Sequence, residues 1–106
     1  MWSVETLNHT VDAEIEALPR DVRAQLARLS ELIERFGLSA LPHERVKHLE
    51  GRLWELRLNG RDGIARAIYV TAAGKRVVVV RAFLKKTQKT PRRELDVARR
   101  RAEEVA

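Results

Sequence analysis

Four consecutive valines, Val77 to Val80, constrain this 106-residue chain most. A β-branched run with no polar face reads as a buried central strand. The stretch that follows, Phe83-Leu-Lys-Lys-Thr-Gln-Lys-Thr-Pro91, places three lysines, two threonines and a glutamine where that strand hands over to a helix. Thr90 reads as the side-chain cap of that helix and Pro91 as its first position. Ammonium groups, hydroxyls and the unpaired N–H groups of a helix start make such a junction attractive to a polyanion. A solvated basic turn is the bland alternative for an isolated lysine cluster.

The charge distribution favours the first reading. Residues 1–44 hold 4 Lys/Arg against 8 Asp/Glu, residues 45–74 hold 6 against 3, and residues 75–106 hold 11 against 4. An acidic end and a strongly basic end suggest a nucleic-acid or acidic-protein partner for the C-terminal half. At 106 residues and 44% hydrophobic, the chain is expected to form a single domain over 1–106 with one modest core. The absence of cysteine excludes disulfides and thiolate metal sites. No apolar run approaches a membrane span, and Met-Trp-Ser-Val-Glu-Thr does not read as a signal peptide, so the expectation is a cytoplasmic protein with no membrane partner.

The pattern along the chain predicts β-α-α-β-β-β-α. Trp2 to Leu7 alternates as a short strand. A helix follows from a cap at Thr10, with Val11, Ile15 and Leu18 on one face. After Pro19 a second helix carries Val22, Leu26, Leu29, Ile33 and Phe36 and stops at Gly37. Leu38 to Glu50 reads as a connection. Strands are expected at Leu53–Leu58, Ile64–Thr71 and Arg76–Leu84, joined by short turns that make neighbours antiparallel. The last helix, Pro91 to Glu104, turns Leu95, Ala98, Ala102 and Val105 inward and Arg92, Arg99 and Arg100 outward. The fold class is therefore α+β: a small antiparallel sheet with the helical hairpin on one face and the C-terminal helix partly covering the other, leaving a groove.

Chemistry is narrowed by elimination. There is no nucleophile elbow, phosphate-binding glycine loop or carboxylate cluster for magnesium, and the three histidines lack metal-ligand spacing, so neither a metal nor a cofactor is expected. A hydrogen-bonded structural role for His48 weighs at least as much as an acid or base role. Glu55 and Arg57 share a strand face away from Trp54 and Leu56. Arg66 sits in an apolar strand, where an ion pair with Glu55 and a contact to phosphate are equally weighted readings. Period-two alternation separates Arg66 from Tyr69 unless a bulge intervenes. A cationic groove can bind phosphodiesters passively. It can also cleave RNA without a metal, if a ribose 2′-OH is aligned on its own phosphate and Arg and Lys meet the developing charge. Crowding by cations lowers a lysine pKa, which makes Lys85 or Lys86 candidates for proton transfer.

Three motifs in order, Val46 to Arg57, Gly63 to Tyr69 and Phe83 to Pro91 with Glu94 and Ala98 beyond, resemble the phage-derived, HigB-like (Gp49-like) branch of the RelE/ParE toxin superfamily. The resemblance spans nearly the whole chain, helical hairpin included. It implies a RelE-like fold and the toxin of a type II toxin–antitoxin pair: a small ribonuclease that cuts mRNA in the ribosomal A site, held inactive by a cognate antitoxin that wraps or plugs the basic surface. By motif position the catalytic candidates are Arg57, Arg66, Tyr69, Lys85 and Lys86, with Tyr69 stacking on a base. Arg81, Thr87, Lys89 and Arg92 are the candidate RNA contacts. Arg81 stands where many relatives carry histidine. The superfamily also contains ParE-type members that act on gyrase, so a gyrase-inhibiting toxin is one alternative and a non-catalytic nucleic-acid-binding module another.

Overall fold

In the computed structural model, which describes residues 1–86 and 89–106, the valine run lies in a strand with partners on both sides. The chain order is β1 (Ser3–Thr6), α1 (His9–Glu16), α2 (Arg20–Phe36), two short 3-10 turns (Leu38–Ala40 and His43–Arg45), β2 (Val46–Glu50), β3 (Leu53–Gly60), β4 (Gly63–Ala72), β5 (Arg76–Lys85) and α3 (Arg92–Ala102). The strands line up as β1-β5-β4-β3-β2 in an open sheet.

Two features depart from the expected topology. The sheet is mixed, because β1 runs parallel to β5, Ser3 opposite Arg76 and Thr6 opposite Val79. Short turns dictate antiparallel neighbours only for β2 to β5; no turn joins β1 to its partner, so nothing local sets its direction. The second departure is β2, in the segment read as a connection. Its two apolar residues face opposite sides, Val46 towards the hairpin core and Leu49 towards the α3 core. A strand without an apolar stripe leaves no alternation to read.

Helix starts show a similar shift. The cap of α1 is Asn8, whose side chain accepts from the Val11 N–H at 3.1 Å, and Thr10 already lies inside the helix. The apolar stripe of α2 follows its spacing: Val22, Leu26, Leu29 and Ile33 are buried against β3, β4 and β5 with Leu56, Leu58, Tyr69 and Val79. Gly37 ends the helix at φ +92°, a left-handed conformation that side chains resist. Where β3 ends, the backbone approaches α2 closely: a Cβ at Gly60 would stand 2.6 Å from Val22 Cγ2. Asp21 ties the two together, accepting from Arg61 N at 2.6 Å and Val22 N at 2.9 Å. Those backbone N–H groups, Arg61's first, hold its carboxyl below the usual range.

The opposite face of the sheet packs under α3. Leu53, Ile68, Val70, Val78, Val80 and Phe83 meet Ala98, Ala102 and Val105. Small residues on the inner side of α3 let it lie close to the strands. Among the described residues, no helix is long and apolar enough to cross a membrane.

Candidate functional site

Helix α3 covers only the apolar part of its face. Beyond it, strand register assembles a charged part: Lys47 is opposite Glu55, Glu55 opposite Ile68, Arg57 opposite Arg66, and Ile64 opposite Lys85. Residues directly opposite in paired strands share a face, so Lys47, Glu55, Arg57, Arg66 and Lys85 all project to one side. Four cations from four strands thus surround one carboxylate.

That carboxylate, Glu55, is wholly buried. Its Oε1 lies 3.2 Å from Arg66 Nε and 3.7 Å from Arg57 Nε. Both are charge contacts, and all three atoms are buried without a well-formed hydrogen bond among the described residues. Its Oε2 accepts from the Thr90 hydroxyl at 2.7 Å. Thr90 therefore does not cap α3, whose N-cap is Pro91 with no side-chain bond. The threonine instead fastens the start of the last helix to the charged cluster.

Arg66 is buried, with Nη1 donating to the Ala65 carbonyl at 2.9 Å. Burial pulls its pKa below the ordinary guanidinium value; Glu55 opposes the shift and Arg57 reinforces it. Lys85, only 8% exposed, is held below the usual lysine value by burial first and then by Arg66, with Arg57 and Lys47 adding to the effect against Glu55. Arg57 is half-buried, whereas Lys47 and Lys86 are exposed. The cluster has an inner layer, Glu55 with Arg66 and Lys85, and an outer layer, Lys47 and Arg57, nearer solvent; Lys86 lies just past the end of β5.

Other expected residues fall elsewhere. A bulge does occur between Ile68 and Tyr69, but only in the pairing of β4 with β5. The register of β4 with β3 stays regular, which leaves Tyr69 with Ala65 and Ala67 in the hairpin core, across the sheet from Arg66. Burial pushes the Tyr69 phenol up to about 12. Folding thus favours its protonated form, so the stability it contributes is complete below pH ~10 and is lost as pH climbs towards the folded value. Tyr69→Phe is expected to remove that alkaline loss in urea titrations between pH ~9 and ~12.

Arg81 is taken up by a structural network. Its Nε and Nη2 donate to Glu94 at 2.7 and 3.3 Å, and its Nη1 lies 2.8 Å from Glu14. Arg101 holds the other side of Glu14 and also donates to the Val80 carbonyl. The Glu94 carboxylate, and then Glu14, raise the Arg81 pKa. For Glu14, burial pushes the carboxyl up but is outweighed by Arg101, the Ala82 N–H and Arg81, which leave it below the usual range. Replacing Arg81 with Met strands the buried Glu94, and a loss of about 3 kcal/mol is expected in urea denaturation, with RNA affinity of the folded fraction unchanged.

Arg92 lies on the outer side of α3, 3.8 Å from Asp96. Lys89 is exposed at the approach to the helix, and Thr87 lies outside the described residues. His48 sits on the hairpin face with its ring 4.8 Å from that of Trp54 and Nε2 2.9 Å from the Gly51 carbonyl, a structural placement. Sequence reasoning missed Lys47 because its strand was missed, and missed the tie of Thr90 to Glu55 because a Thr-Pro pair reads first as a cap. Among the described residues, no three His, Asp or Glu side chains are grouped to hold a metal ion.

No curated protein matches the chain. Residues 13–103, however, match the family of phage-derived Gp49-like proteins, a span that takes in most of the hairpin, β2 to β5, α3 and every member of the charged cluster. The chain therefore belongs to the phage-derived Gp49-like family, a family associated with toxin–antitoxin systems.

Proposed function

We propose that this chain is the toxin of a type II toxin–antitoxin pair, of the HigB-like kind within the RelE/ParE superfamily, and that it cleaves mRNA on the ribosome. The observation that carries the reading is the convergence of Lys47, Arg57, Arg66 and Lys85 on one end of a sheet face, around a single buried carboxylate. Membership of a toxin–antitoxin-associated family supports the biological role.

In this mechanism the outer cations, Lys47 and Arg57, hold the RNA backbone by charge, with Lys86 joining them from the end of β5. The 2′-oxygen attacks the adjacent phosphorus while the bond from phosphorus to the 5′-oxygen breaks and that oxygen takes a proton from water, giving a 2′,3′-cyclic phosphate and a 5′-hydroxyl. Charge accumulates on the non-bridging oxygens and is met by Arg57 and Arg66, whose fixed geometry spares reorganisation. Lys85, with its lowered pKa, takes the proton from the 2′-hydroxyl in its neutral form. The rate is accordingly expected to rise with pH and to level off below the ordinary lysine value. Glu55 reacts with nothing; it neutralises part of the cluster so that the cations can stay together without RNA. The ribosome supplies the aligned substrate, and a cognate antitoxin with an acidic segment suits the exposed cations.

Expression in growing cells tests this. Transcript ends should appear within translated reading frames, and a co-expressed antitoxin from the neighbouring gene should suppress them. DNA damage with intact mRNA would instead favour gyrase inhibition, and neither effect would favour a passive binding module.

A further inference from the structure

At the edge of the sheet, β2 pairs only with β3 among the described residues. Its outer N–H and C=O groups are open to another strand. Beside it, on the hairpin face, lies a hollow of about 570 Å³ walled by Trp2, Trp54, Tyr69, Leu38 and Val46. Such a volume falls in the range of small-ligand pockets, about 300–1,000 Å³. The Tyr69 side chain is 1% exposed and lines this hollow. On the opposite face of the same edge stand Lys47 and Arg57.

These features select one kind of occupant. No lining residue of the hollow is charged, so a nucleotide seated there would bring a phosphate without a counter-charge. A second copy of β2 would set one Lys47 on the same sheet face as another, a repulsive arrangement that natural edges use against self-pairing. An acidic strand meets the reverse situation. We propose that β2 and the hollow beside it form a docking surface for an extended segment of another protein, whose residues alternate between apolar or aromatic side chains on the hairpin face and carboxylates on the Lys47 face. Backbone pairing with β2 supplies affinity and alternation supplies selectivity. The surface stands whether or not the chain cleaves RNA.

The only two tryptophans of the chain both line the hollow, so its occupancy can be read by intrinsic fluorescence. The probe is a capped seven-residue peptide in which glutamates alternate with leucines and a central phenylalanine, titrated into the full chain without RNA or ribosomes. A saturable blue shift is expected, weakened about tenfold by Lys47→Glu and by Trp54→Leu. Both residues are exposed, and circular dichroism should show both variants folded. The matching peptide with lysines in place of glutamates should not bind. Equal binding of the two peptides, full binding by Lys47→Glu, or a shift produced by single-stranded RNA and not by the acidic peptide would each overturn the proposal.

Discussion

Glu55→Ala is expected to lower the unfolding free energy by about 3–5 kcal/mol, the largest effect of any single substitution in the charged cluster. The carboxylate is fully buried, lies 3.2 Å from Arg66 Nε, and accepts the Thr90 hydroxyl. Without it, the buried Arg66 faces Lys85 and Arg57 with no opposing charge, and Thr90 loses the bond that ties down the start of α3. A domain of this size holds only about 5–15 kcal/mol in total, so the variant should be near its limit at 37 °C. The double substitution Glu55→Leu with Arg66→Met separates pairing from packing. It removes both charges together and should recover most of the loss in urea denaturation, because apolar replacement of a buried pair is often neutral or better. Recovery of stability without recovery of cleavage would show that the pair is kept for function.

The second large effect is on cleavage. Lys85→Met should reduce the rate by about 10³-fold, since it removes both a proton acceptor and a positive charge near the phosphate. The same change should stabilise the fold at neutral pH by about 1 kcal/mol. The sign follows from linkage: the Lys85 pKa is lowered in the fold, so the unfolded chain binds that proton more tightly, and the ammonium costs stability below the folded value. Wild-type stability accordingly gains as pH rises towards the unfolded lysine value of about 10.4, and Lys85→Met should flatten that rise. Opposite movements of activity and stability from one side chain would mark it as a group retained for chemistry. Arg66→Lys keeps the charge opposite Glu55 but loses the planar fork, and a fall of about 10²-fold in rate is expected with a smaller change in stability.

Much of this arrangement was legible because alternation is a strict rule where neighbours are regular. Glu55 and Arg57 fell on one face by counting alone, the register that brings Arg66 to the same face came only with the fold, and the ion pair weighed for Arg66 is present. The helical hairpin followed from the spacing of Val22, Leu26, Leu29 and Ile33. What escaped was decided by tertiary partners. The parallel docking of β1 depends on a strand seventy residues away. Alternation had separated Tyr69 from Arg66 unless a bulge intervened; the bulge that exists belongs to the pairing of β4 with β5, so the alternation of β4 holds and Tyr69, a candidate only by resemblance, lies in the hairpin core. Arg81 looked like one more cation in a basic stretch; only the fold brings Glu14 and Glu94 against it. Thr90 likewise had a good local use as a cap, and lost it to a buried carboxylate 35 residues earlier.

The central claim is that the cations around Glu55 promote attack by the RNA's own 2′-hydroxyl. An mRNA carrying a single 2′-deoxynucleotide at the cleaved position, presented on purified translating ribosomes, tests it directly. The account predicts efficient cutting of the all-ribose message to a 2′,3′-cyclic phosphate, and no cutting at the deoxy position. Cleavage of the deoxy-substituted message at that same bond would contradict it.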